Sequence, residues 1–100
     1  MVTVTAPKMA AAKKLTNRIL SNRLAACVNI LPGVHSHYWW EGKKVRGREV
    51  LLLIKTRKNL FGKLSRLVLK HHPYEVPEIL AFPIAAGHKP YLNWLRHETK

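Results

Sequence analysis

The opening residues Val2-Thr3-Val4-Thr5-Ala6 alternate apolar and polar side chains, the period of a strand with one buried face. Pro7 stands where a first helical residue would, its missing N–H costing nothing there, and a helix is expected from about Pro7 to Asn22. Ala12, Leu15, Thr16, Ile19 and Leu20 fall on one face of it; Lys13, Lys14, Asn17, Arg18 and Asn22 fall on the other. Leu24 to His37 reads as a long apolar strand with Pro32-Gly33 as a bend. Tyr38-Trp39-Trp40-Glu41-Gly42-Lys43 reads as its end and a hairpin turn, with Gly42 supplying the permissive backbone, and Val45 to Thr56 is the returning strand. A second helix is expected from about Lys58 to His71. Leu60, Phe61, Leu64, Leu67, Val68 and His71 share one of its faces, with Lys63, Arg66 and Lys70 outside it. Pro73 stops it. Val76 to Ile84 reads as a fourth strand, and its prolines Pro77 and Pro83 make it an edge or bent strand. After Gly87, Pro90 opens a short helix that carries Tyr91, Leu92, Trp94 and Leu95.

The order strand–helix–strand–strand–helix–strand, then a short helix, is the split βαβ, ferredoxin-like α+β arrangement. Two helices cover one face of a four-stranded antiparallel sheet, and the other face is left open. A sheet with one solvated face alternates apolar and polar residues. Val50-Leu51-Leu52-Leu53-Ile54 does not, and neither does Leu24 through Val28. Both faces of both central strands are therefore apolar, and what covers the second one is either further copies of the chain, closed by symmetry, or the C-terminal helix.

One hundred residues make one domain, residues 1–100, with no repeat or linker. No apolar run approaches the roughly 18 residues of a membrane span, and the start has neither the charged region nor the apolar run of a signal peptide. Cys27 is alone, which excludes an internal disulfide and favours a reducing compartment; a cytoplasmic setting is expected. Charge alters the picture most. Lysine and arginine total 18 against five glutamates and no aspartate, a formal charge of +13. Such a chain attracts polyanions, whether nucleic acid or acidic proteins.

The chemistry concentrates in His72-Pro73-Tyr74-Glu75-Val76-Pro77-Glu78-Ile79, a helix stop with an aromatic, two carboxylates and two prolines. Cys27, His71, His72, Glu49, Glu75 and Glu78 are ligand types for a soft or borderline ion, at no standard local spacing, so a metal site would be assembled in three dimensions. His35 and His37 share one side of their strand, as a metal pair or as an exposed pair. An enzyme is not expected: there is no phosphate loop, no nucleophile elbow and no aspartate to orient a histidine. An RNA-recognition domain has this topology, but its third strand carries base-stacking aromatics. Glu49 to Lys55 has none.

Several stretches together resemble the CutA divalent-cation tolerance family: Leu24-Ala25-Ala26-Cys27-Val28-Asn29, Trp39-Trp40-Glu41-Gly42-Lys43, Leu51 to Thr56, the octapeptide, and Pro90-Tyr91-Leu92 with Trp94. The resemblance covers essentially the whole chain. It implies a ferredoxin-like fold, a tight homotrimer of the kind formed by PII signalling proteins, a cytoplasmic setting, and binding of divalent metal, copper in particular. By resemblance, Cys27, Glu49 and His71 occupy positions associated with copper, while Val4 and Leu67 stand where some members have further cysteines. Trp40, Tyr74, Glu75 and Glu78 belong either to a pocket at the trimer junction or to packing at its rim. Members of the family usually carry many acids on the helices and after the hairpin turn. Here those positions include Lys8, Lys13, Lys14, Lys44, Arg46, Arg48 and Lys63, a distribution that implies a positively supercharged scaffold.

Overall fold

A computed structural model describes residues 1–99. The elements are β1 (Val2–Ala6), α1 (Met9–Ser21), β2 (Cys27–Trp40), β3 (Lys43–Lys55), a 3-10 turn (Lys58–Leu60) leading into α2 (Phe61–His71), β4 (Ile79–Ala81) and α3 (Lys89–Glu98). The sheet is antiparallel throughout in the order β2-β3-β1-β4, the ferredoxin-like arrangement expected from the element order. Among the described residues, no helix is long and apolar enough to cross a membrane.

The core lies between one sheet face and the two long helices. Val2, Val4 and Ala6 of β1 and Val50, Leu52 and Ile54 of β3 meet Ala12, Leu15 and Ile19 of α1 and Leu60, Leu64 and Val68 of the second helical segment. Each fully buried Val, Leu or Ile contributes roughly 1.5–3 kcal/mol. The amphipathic reading is thus correct for most positions and wrong at two. Leu20 is 40% exposed, one residue before α1 ends. His71 is exposed too, and the next residue, His72, is buried in its place.

Two boundaries also move. Leu24 and Ala25 are buried but not in β2. Leu24 donates its N–H to the Ile19 carbonyl and closes α1, Arg23 takes a positive φ of 56°, and Thr56 Oγ1 donates to the Leu24 carbonyl. The apolar run is continuous because a buried turn precedes the strand. The fourth strand shrinks to Ile79–Ala81, paired only with β1. A further reciprocal backbone pair between Met1 and Phe82 ends the ladder just before Pro83, which has no N–H to offer.

The β2–β3 hairpin is the longest feature. Its turn holds Glu41 and Gly42 at φ of 49° and 78°, the two positive values a two-residue type I′ connection needs. Between Leu31 and Val34 the register slips: β2 advances three residues where β3 moves two, from Leu51 to Glu49. Pro32-Gly33 is therefore a bulge, with Gly33 at φ of 75°. Beyond it no side chain of either strand is buried, and the hairpin continues as a two-stranded arm.

The opposite sheet face carries Cys27, Asn29 and Leu31 of β2 across from Lys55, Leu53 and Leu51 of β3. The C-terminal helix does not cover it. Leu95 is the buried residue of α3, and the polar ties lie at its end: Arg57 Nη2 to the Thr99 carbonyl at 2.9 Å and Arg23 Nη1 to Glu98 Oε2 at 2.8 Å. Leu31, Leu80 and Phe82 stay 41–51% exposed in one chain.

Candidate functional site

The octapeptide follows α2 and crosses back toward β1, where His72 anchors it. Its Nε2 lies 2.7 Å from the Thr5 carbonyl, and Tyr74 donates its backbone N–H to His72 Nδ1 at 3.0 Å. Since Nδ1 accepts, the proton sits on Nε2 and is donated to Thr5. Both ring nitrogens of this buried imidazole are thus satisfied in the neutral form. Its ring packs at 4.9 Å and 48° against that of Tyr74.

That contact aims the Tyr74 side chain at the arm. Its hydroxyl donates to Glu49 Oε2 at 2.9 Å, and desolvation, the hydrogen bond and the Glu49 charge push the phenol up to about 12. Thr3 Oγ1 donates to Glu78 Oε2 at 3.2 Å, tying the far end of the octapeptide to β1. Between octapeptide and arm lies an open cleft of ≈ 640 Å³. Trp40 and Tyr38 form its aromatic wall, Tyr74 its phenolic corner, and Glu49, Glu75 and Glu78 its carboxylates. All four residues expected in a junction pocket line this one cleft. Three of the chain's five acids gather there in a protein of charge +13. A cleft with an aromatic wall and several carboxylates suits a polar or cationic guest.

The three expected metal ligands are not brought together in one chain. Glu49 belongs to the cleft. Cys27 is on the same open face but six register positions away along β3, roughly 20 Å at ~3.3 Å per residue. Its Sγ is half-exposed, with Asn29 Oδ1 at 3.9 Å. His71 ends α2, in the helix layer behind the sheet, and its imidazole is held below the ordinary histidine range by desolvation, then by Arg18 and Lys70. Among the described residues, no group of three or more His, Cys, Asp or Glu side chains is arranged to hold a metal ion. His35 and His37 each stand opposite an arginine, Arg48 and Arg46, whose charge repels a cation.

Two residues carry more of the site than their sequence context suggests. His72 is the buried anchor, while the helical pattern points to His71 for burial and the family resemblance points to His71 for metal. Glu49 is the partner of Tyr74, which adjacency pairs with Glu75. The position of Pro73 right after His72 is the available signal, since a proline there disfavours helical backbone at the preceding residue, and His72 is indeed extended, at φ −79° and ψ 137°.

Residues 1–98 match the family model described as CutA1 divalent ion tolerance protein. The chain is 48% identical over 99 residues to the divalent-cation tolerance protein CutA of Thermus thermophilus, which covers 99% of this chain and 96% of that protein. It is 49% identical over 100 residues to the chloroplastic protein CutA 1 of Oryza sativa subsp. japonica, covering 56% of that protein. It thus spans about half the length of the plant relative and nearly all of the bacterial one. The structure of the divalent cation tolerance protein from Thermus thermophilus superposes with a TM-score of 0.97 at 47% identity, covering 99% of this chain and 96% of that one. The crystal structure of CutA1 from Oryza sativa gives 0.96 at 49% identity, covering 99% and 91%. On a match that runs from the first strand to the last helix, the chain belongs to the CutA1 divalent ion tolerance family.

Proposed function

We propose that the protein is a homotrimeric divalent-cation-binding protein of the CutA type, with copper as the ion its donors suit best, and that the metal is held between copies. The observation that carries this reading is Cys27. It is the single thiol, half-exposed, on the sheet face that one chain leaves open. Symmetric closure of that face brings one thiol from each chain into the same interface, so one donor per chain becomes several. A thiolate is a ligand for soft copper, the downward shift of His71 favours the neutral form that ligates, and Glu49 adds a hard donor in the cleft. The metal would supply charge and coordination; the chain supplies orientation, through the strand that fixes Cys27 and the phenol that fixes Glu49. A lone thiol also fits a cytoplasmic setting.

The test is anaerobic copper titration of the trimer, with Cys27→Ala, Glu49→Gln and His71→Ala alongside. Loss of Cys27 should weaken copper binding by at least about tenfold, the scale on which removing a metal-site group acts. Identical binding by Cys27→Ala would remove it from the site. A second reading, non-specific binding of nucleic acid or acidic proteins, is favoured by the charge of +13 and by the supercharged distribution of that charge.

A further inference from the structure

On its helix-facing side the outer half of the β2–β3 hairpin shares only His37 with the cleft. Because the bulge at Pro32-Gly33 inserts one residue, the side of β2 that carries Val28 and Ile30 before the bulge carries His35, His37 and Trp39 after it. These face three β3 residues in register: His35 opposite Arg48, His37 opposite Arg46, and Trp39 opposite Lys44. The result is a ladder of three rungs with no carboxylate in any of them. The ion pair among the described residues lies elsewhere, between Arg23 and Glu98. Along each strand the rungs are about 6.6–6.8 Å apart, comparable to the separation of successive phosphates along one nucleic-acid strand. Trp39 ends the ladder and is 69% exposed, the most exposed large apolar side chain among the described residues. Beside it runs a shallow groove of ≈ 520 Å³ bounded by His37, Lys44 and Arg46.

We propose that this ribbon face is a docking surface for single-stranded nucleic acid, with Lys44, Arg46 and Arg48 on successive phosphates and Trp39 stacked on a base. The proposal rests on the polyanion reading and narrows it to one face. Cations in a row attract any polyanion, but an exposed indole at the end of the row adds an interaction that only a chain with flat aromatic bases can use. Arginine suits phosphate through its fork of donors, and two of the three cations are arginines.

The test is fluorescence anisotropy of a labelled oligothymidylate with the intact protein across a salt series. Four variants decide it, each checked by circular dichroism: Arg46→Glu with Arg48→Glu; Lys13→Glu with Lys14→Glu, the same charge change on the exposed face of α1; Trp39→Ala; and Trp39→Phe as the conservative return. The ribbon pair should weaken binding by about tenfold more than the α1 pair, and the slope of log K against log salt should fall by at least about 1.4. Trp39→Ala should lose about fivefold or more on oligothymidylate, nothing on inorganic polyphosphate, and Trp39→Phe should recover part of the loss. Equal losses from the two charge pairs overturn the ribbon and leave the general polyanion reading standing. Absence of binding by the unaltered protein at low salt overturns both. Poly-glutamate bound as tightly as oligothymidylate, with Trp39→Ala indifferent to both, assigns the face to acidic proteins and overturns the nucleic-acid proposal.

Discussion

Tyr74 shows how one side chain joins three parts of the molecule. Its backbone N–H is held by His72, its ring packs on that imidazole, and its hydroxyl reaches Glu49 on the arm. The phenol is pushed from the ordinary 10.0 up to about 12, first by desolvation and then by the hydrogen bond and charge of Glu49. A raised folded-state value means that the folded protein holds this proton where the unfolded chain releases it. The contribution is therefore complete below pH 10, fades as the pH rises, and is gone above about 12. Tyr74→Phe removes it. The stability difference between the two proteins, followed by chemical denaturation, should be constant at neutral pH and shrink between pH 10 and 12. A difference that is flat across that interval would break the link between the phenol and Glu49. Difference absorbance of the phenolate should place the Tyr74 ionisation near 12 as well.

At the scale of elements, the β2–β3 hairpin decides what the cleft and the ribbon present, and its bulge decides which side chain goes where. Gly33 holds φ of 75°, and a Cβ there would meet nothing within 4 Å, so the cost of Gly33→Ala is the backbone cost alone, roughly 1–2 kcal/mol. Gly62, in the first turn of α2, has Arg66 Nη1 at 3.6 Å as its nearest neighbour, and Gly62→Ala should stabilise by about 0.5–1 kcal/mol. Denaturation of the two variants should therefore move in opposite directions; a Gly33→Ala variant as stable as the parent would deny the bulge its special backbone. The hairpin was also legible in the sequence: Pro32-Gly33 and Glu41-Gly42 mark bend and turn, and the alternation of Val2 to Ala6 marks the first strand correctly. Hydrophobicity misleads at Leu24-Ala25, which is buried without being strand, and at Val76 to Ile84, where apolar residues outlast the backbone donors that Pro77 and Pro83 lack. In the site, the residue types of the cleft were readable, because carboxylates stand out in so basic a chain. The pairing of Tyr74 with Glu49 was not, since it depends on a register between segments 25 residues apart.

For the whole molecule, charge and the open sheet face act against each other. Leu31, Leu80 and Phe82 remain exposed in one chain, and burying them between copies is favourable by roughly 25 cal/mol per Å² of apolar surface. In the proposed trimer, three copies at +13 each would bring +39 together. Attractive pairs offer little relief, because the ion pair found among the described residues, Arg23–Glu98, lies within one chain. The range of the repulsion is set by salt, about 30 Å at 0.01 M and about 10 Å at 0.1 M. One chain measures 45 × 26 × 22 Å, so at low salt the charges of one copy act across the next, and at 0.1 M they act only on near neighbours. Added salt should therefore raise the stability of the assembly, with the melting temperature climbing from 0.01 M to 0.1 M and levelling beyond. The trimer mass by sedimentation equilibrium should follow the same course wherever dissociation is measurable. This sign is opposite to that of an assembly held by ion pairs, which salt weakens. The result is diagnostic in both directions: a melting temperature that falls on adding salt would mean that attraction between charges, rather than burial of the open sheet face, holds the copies together.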